Sequence, residues 1–372
     1  MQKNKIILVV LFLTFSIDNF GQYPINKIDS VLKKAFQHNS FMGCVLLAKN
    51  DSIFFNKNYG YENIRTNEQL TNQTVFYLAS LAKPITAAAI FHLSQNGQLK
   101  INDKITKHLD GFPEYEITIS QLLSHSSGIG DLFELIKEYG DTTKKNANKD
   151  LLHIFKKYNP KLKSVPGTTW HYSDINYVLL ACIIEKVSKS SFETYINKHF
   201  LNKCDSKLKI MPLDLPSNRI KNLAIGYNID SLGKMNEARK YPENGYLKCI
   251  SKMKGDGGFY GSIIDLYKWT EIIDDTSIIE HISIKNTYIP ARFNDSSFIK
   301  TSWGSNVAYG WDTNINCSLG VNGIKGAQLI GYMGVIFKFP ESDITIIILS
   351  NLETDQFWGI SSKVYDCIES GK

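Results

Sequence analysis

Residues 75–97 read VFYLASLAKPITAAAIFHLSQNG, and they set a serine three places ahead of a lysine at the start of an alanine-rich helix. The spacing by itself is common: S-x-x-K begins at Ser30, Ser80, Ser206, Ser231, Ser251 and Ser297. Context separates Ser80 from the others. Three residues along a helix place Lys83 on the same face, one turn away. Pro84 is tolerated only near a helix start, so Ser80 stands at the N-terminal end, where backbone N–H groups lack intrahelical acceptors. The following TAAAIFHL is strongly helical, and Asn96-Gly97 supplies the stop. Ser206, Ser231 and Ser251 lie in polar, turn-rich stretches, and Ser30 belongs to an amphipathic helix with a lysine face.

A serine hydroxyl is a weak nucleophile until a neighbouring base takes its proton. Lys83 is that neighbour, provided that burial or a second cation displaces its own proton. A further acid–base group facing the serine would protonate the leaving group. PGTTWHYSDINYVLL (166–180) offers one: Tyr172 follows a Pro-Gly turn just ahead of a helix, with Asp174 two residues on. Among 19 tyrosines Y-x-D is a cheap pattern.

Outward from this segment, FMGCVLLAKNDSIFFNKNYGYEN (41–63) predicts two strands around a turn at Asn50-Asp51. Helical patterns dominate from about 100 to 215, with a solvated loop at 140–150. Short strands and turns occupy 220–275, followed by the helix SIIDLYKWTEII. LIGYMGVIFKF and DITIIILSN predict buried strands, and a helix near GISSKVYDCIES closes the chain. Strands therefore come first and last around a helical block. This predicts an α/β (α+β) fold, an antiparallel sheet drawn from both chain ends with an inserted helical lobe. The α/β lobe is expected at about 22–85 and 220–372, the helical lobe at about 86–219.

The 372 residues are 43% hydrophobic and 21% charged, enough to bury a large core. Lys3 and Lys5 precede an apolar run, Ile6–Phe15, too short for the ~20 residues of a membrane span. Residues 1–21 read as a signal peptide with cleavage near Gly21, giving a periplasmic or secreted protein without a transmembrane segment; a retained anchor helix is the alternative. The net charge of +6 comes without a basic, aromatic-interleaved run, which argues against nucleic acid. Six cysteines form no C-x-x-C; Cys44 and Cys182 sit in apolar runs and read as buried thiols.

FMGCVLLAKND, YLASLAKPITAAAI, ITISQLLSHSSGI, PGTTWHYSDINYVLL, GDGGFYGSIIDLYKW and FPESDITIIILSN, in this order, resemble the serine β-lactamase and penicillin-binding-protein superfamily, in its class C-like branch of D-Ala-D-Ala peptidases, D-aminopeptidases and esterases. The likeness spans about residue 40 to the end. It implies that Ser80 and Lys83 are the S-x-x-K box, and that Tyr172 and Asp174 fill the Y-x-N box with aspartate for asparagine. The third box falls on Lys325-Gly326-Ala327, fifteen residues ahead of Pro340, and Gln328 then supplies the second oxyanion N–H. In this placement Lys325 attracts a substrate carboxylate. Gly326 lacks the hydroxyl that helps to bind one, and Ala327 adds a methyl near the substrate strand.

The resemblance implies an exported serine hydrolase that forms an acyl-enzyme on Ser80 and cleaves an amide or ester bond of the β-lactam or D-amino-acid peptide class. It implies no metal and no cofactor. Its substrate is a small molecule or peptide, with peptidoglycan as one source. Lys83 and Tyr172 are expected to share the acid–base work, with Tyr172 favoured as phenolate by two ammonium groups. A carboxylesterase of the same fold and a non-turnover penicillin- or peptide-binding relative remain alternatives. His125, His171 and Asp256 are weaker candidates, read as structural groups or turn formers. No G-x-S-x-G, P-loop, G-x-G-x-x-G or H-E-x-x-H occurs, which removes the α/β-hydrolase, nucleotide-binding and zincin readings.

Overall fold

The computed structural model describes residues 23–214, 219–240, 247–273, 278 and 286–371; the signal peptide read at 1–21 lies outside them. Helix α1 (Ile25–Gln37) leads into the hairpin of β1 (Gly43–Lys49) and β2 (Ser52–Tyr59). Asn50 and Asp51 both adopt positive φ, at 48° and 59°, the conformation that two-residue hairpins require and Asn and Asp tolerate. The chain then passes through α2 (Ala82–Gln95) and into a helical stretch: α3 (Ile119–Leu123), α4 (Leu132–Tyr139), α5 (Asn148–Tyr158), α6 (Asp174–Ser188) and α7 (Phe192–His199). After α8 (Ile263–Ile272) it returns to the sheet through β3 (Asn306–Val307), β4 (Asp312–Thr313), β5 (Gly323–Leu329), β6 (Tyr332–Phe339) and β7 (Ile344–Ser350), and α9 (Gln356–Glu369) follows.

The main sheet has the order β3-β4-β5-β6-β7-β1-β2. Its centre joins the two ends of the chain, with Val45 opposite Ile348 in an antiparallel β1–β7 pair. The α/β (α+β) class expected from the order of elements is the observed one. Strands covered on both faces need apolar residues at every position, and β6 and β7 are buried throughout. The alternation persists beneath that continuity. Val45 and Leu47 pack with Ile28 of α1 and Val364 of α9, whereas Cys44 and Leu46 face the larger core with Ile85 and Val178. Each such side chain contributes about 2 kcal/mol on burial.

Helix α2 is covered nearly all round, with eleven of its residues buried. It packs on α6, which also meets α3, α5 and α7. A helix this enclosed needs apolar residues on every face, and ITAAAIF meets that need; Lys83 is its one buried charge. A small sheet pairs Phe76–Tyr77 with Phe259–Gly261 and carries the chain into the Ser80 turn. All six cysteines are free, Cys44 and Cys182 buried as expected. Among the described residues no helix is long and apolar enough to cross a membrane.

Candidate active site

Ser80 lies in a single 3-10 turn, Ala79–Leu81, that runs directly into α2. The residue before it, Ala79, has φ of +43° and is buried. An alanine in the left-handed region is strained by about 1 kcal/mol, and such strain collects where a side chain must be held in a set position.

The structure brings Ser80, Lys83, Tyr172 and Asp174 into one hydrogen-bonded group. Ser80 Oγ is 2.8 Å from the Tyr172 hydroxyl and accepts from Lys83 Nζ at 3.0 Å. Lys83 also donates to Asp174 Oδ1 at 2.7 Å and to the backbone carbonyl of Asp256 at 3.1 Å. An ammonium has three donors and no acceptor; here each donor has an acceptor. A fully buried lysine would ordinarily lose its proton, but the negative groups around it, Asp174 foremost, together outweigh that penalty and hold Lys83 above the usual lysine range. The charged Lys83 donates to Ser80, and the Ser80 and Tyr172 hydroxyls share a hydrogen bond in which either can be the donor.

This corrects two expectations. Lys83 does not rest with a displaced proton, and Tyr172 is not poised as a phenolate. Desolvation within the cleft pushes the phenol above its ordinary range, more strongly than the Lys83 ammonium pulls it down. One oxygen of Asp174 is committed to Lys83, while the residue still lines the cleft.

Tyr172 is positioned by a laced segment. Gly167 N–H donates to Ser126 O at 2.7 Å and His171 N–H to His125 O at 2.9 Å, while the Ser173 hydroxyl donates to Gly130 O. The His125 ring stacks on Tyr172 with centroids 4.5 Å apart. Its Nδ1 accepts from Ser173 N–H, which places the remaining proton of the neutral ring on Nε2. Burial and the two nearby ammonium groups push His125 well below the ordinary histidine range, so it serves as a neutral platform. His171 is exposed.

The Gly255–Gly258 loop is more than a turn. Its Gly255 carbonyl accepts from Thr86 at 2.7 Å. Gly255 has φ of +105°, and a Cβ there would stand 2.3 Å from Tyr177 O, so only glycine allows the loop so near α6. Asp256 thereby comes beneath Lys83. One carboxylate oxygen is sealed off without a hydrogen-bond partner among the described residues, and burial with the neighbouring Asp174 charge pushes its pKa up to about 7.

On the opposite wall, β5 runs beside the Ser80 turn. Lys325 lies 5.5 Å over the Tyr172 ring; burial lowers its pKa to about 8, against the pull of Asp312. Ala327 is buried on the same strand face as Lys325. The Gln328 side chain reaches towards Glu353, its Nε2 donating at 2.9 Å, and the residue lines the cleft together with Ser80. A Cβ at Gly326 would come within 2.9 Å of the Trp358 ring. The cleft holds about 1330 Å³. Asp312 and Trp358 line it as well, and the sequence carried no signal for either beyond their residue types.

Residues 29–359 match the family model described as Beta-lactamase. Penicillin-binding protein 4* of Bacillus subtilis (strain 168) is 28% identical over 324 residues, 86% of this chain and 70% of its own length. Protein flp of Staphylococcus aureus (strain MW2) is 32% identical, and the chain spans 63% of that protein's length. The D-amino acid amidase from Ochrobactrum anthropi SV3, complexed with L-phenylalanine amide, superposes with a TM-score of 0.73 at 16% identity, over 93% of this chain and 98% of its own; that likeness speaks for the fold. With the match covering most of its length, the chain belongs to the beta-lactamase family.

Proposed function

We propose that the protein is an exported serine hydrolase that cleaves an amide or ester bond through an acyl-enzyme on Ser80. The observation that carries this reading is the double hydrogen bond of Ser80 Oγ, to Tyr172 at 2.8 Å and Lys83 at 3.0 Å. Family membership supports serine-hydrolase chemistry in general, and a relative named as a penicillin-binding protein supports acyl transfer.

The proton count favours a relay. As Ser80 Oγ bonds to the substrate carbonyl carbon, its proton passes to the Tyr172 oxygen, and the proton of Tyr172 passes to the departing alcohol or amine. Tyr172 ends neutral, as it began, and Lys83 keeps its charge throughout, stabilising negative charge on Ser80 and Tyr172 in transit. The N–H groups of Ser80 and Gln328 are the proposed oxyanion donors, each contributing about 3 kcal/mol in comparable sites. Water reverses the relay to release the acid. The test is mass spectrometry after a fluorophosphonate probe: the adduct belongs on Ser80, and an adduct on another serine would overturn the assignment. Hydrolysis of a panel of nitrocefin, a D-Ala-D-Ala peptide and p-nitrophenyl esters separates turnover from labelling alone. Export predicts a mature N-terminus between about residues 17 and 24.

A further inference from the structure

The β5 wall of the cleft is built against negative charge in the substrate. Lys325 is the group there that would draw a carboxylate, yet it does not stand alone. Asp312 is paired in register with Ile324, the residue before Lys325, and its carboxylate and the Lys325 ammonium act on one another. Asp312 is held in the cleft wall by Trp303, whose Nε1 donates to Oδ2 at 3.2 Å. The other inner ammonium, Lys83, is already matched by Asp174, with Asp256 beneath it. Farther out, the lining carries one lysine, Lys300, and one aspartate, Asp366. The site thus has no excess positive charge for an anionic ligand.

Shape agrees with charge. The strand position next to Lys325 is Gly326, and the Trp358 indole lies over it so closely that a Cβ would meet two ring carbons at 2.9 and 3.0 Å. This place is covered by an apolar ring and offers no hydroxyl to an anion.

We propose that Asp312 and Trp358 make the β5 side of the cleft a subsite for uncharged acyl donors, so that the preferred substrate is a neutral ester or amide without a carboxylate beside the scissile bond. The proposal rests on the serine-hydrolase reading and narrows it, away from carboxylate-bearing β-lactams and peptides. A substrate carboxylate drawn to Lys325 would also meet the Asp312 charge, and like charges in a shielded cleft repel.

The test uses the mature protein with hippuryl-thioglycolate and its primary carboxamide, two thiolesters that differ in that one charge. Each competes with a fluorophosphonate probe for Ser80, so occupancy is read whether or not turnover is fast. Failure of the probe to label Ser80 would sink the serine-hydrolase reading; the ratio between the two competitors tests the charge preference alone. The carboxamide is expected to protect at about tenfold lower concentration than the carboxylate, a scale set by one like-charge contact. Asp312→Asn, which keeps the shape, and Trp358→Ala, at a half-exposed position, should each move that ratio several-fold towards the carboxylate. Equal or better protection by the carboxylate, protection by neither compound, or a ratio unmoved in both variants would overturn the proposal.

Discussion

Lys83 Nζ lies 2.7 Å from Asp174 Oδ1, closer than it lies to Ser80. The lysine that spacing pairs with the proposed nucleophile is thus electrostatically paired with Asp174, which the resemblance sets in place of the family's asparagine. That substitution changes the protonation chemistry of the whole group. With aspartate here the lysine is held charged, and in the proposed relay proton transfer falls to Tyr172.

Asp174→Asn tests this directly. The amide keeps an acceptor for Lys83 but removes the charge that raises its pKa. Losing an opposite charge at this range lowers a pKa by about 1 to 3 units, so the neutral amine is reached at lower pH. The alkaline portion of the kcat/KM–pH profile on a neutral ester should move down by a comparable amount. A superimposable profile would show that Asp174 does not set the state of Lys83.

Tyr172→Phe keeps the ring that stacks on His125 and loses only the relay oxygen. It should lower kcat/KM by about 10² to 10⁴, the usual scale for a general acid–base group, with little change in thermal midpoint. Combining it with Lys83→Ala should add little further loss, because groups that act as a unit are not additive. Hydrolysis at the parent rate by Tyr172→Phe would refute the relay.

Much of this arrangement was legible in the chain. The Asn50-Asp51 hairpin, the apolar runs of β6 and β7, and the helix-start context of Ser80 each follow from local rules that tertiary packing did not override. The two-residue strands β3 and β4 have no periodicity to read. Asp312 therefore looked like any loop aspartate until pairing with Ile324 set it beside Lys325. Asp256 read as a turn former because its contacts, to Lys83 and through Gly255 to Thr86, cross about half the chain. Trp358 belongs to an amphipathic helix, and nothing in such a helix tells which exposed aromatic covers a distant glycine.

Asp256 makes stability fall with pH. Its carboxyl titrates near 7 in the fold and near ~3.9 when unfolded, so the folded state binds more protons between those values. Stability is therefore full below about pH 4, declines as pH rises to 7, and stays reduced above it. Asp256→Asn, which mimics the protonated form, should be more stable than the parent at pH 8 by on the order of 2 kcal/mol, allowing for partial solvent access. The gap should close near pH 4. Urea unfolding at both pH values measures it, and a variant less stable than the parent at pH 8 would show that the charged form is favoured.

Gly326→Thr carries a physical cost that the sequence concealed. Threonine would supply the residue that the resemblance expects at this place, but its Cβ would meet Trp358 at 2.9 Å. The indole is 41% exposed and can swing outward, so the conflict costs about 1 kcal/mol, towards the low end of overpacking penalties. Trp358→Ala in the same chain removes the obstacle. The double variant should then be more stable than the sum of the single effects by about 1 kcal/mol, the coupling expected of residues in contact. Additive effects would mean that the ring does not rest against β5. If the coupling is found, the hydroxyl of the double variant stands beside Lys325 with the apolar cover gone, and that chain should be the one that accepts a carboxylate best.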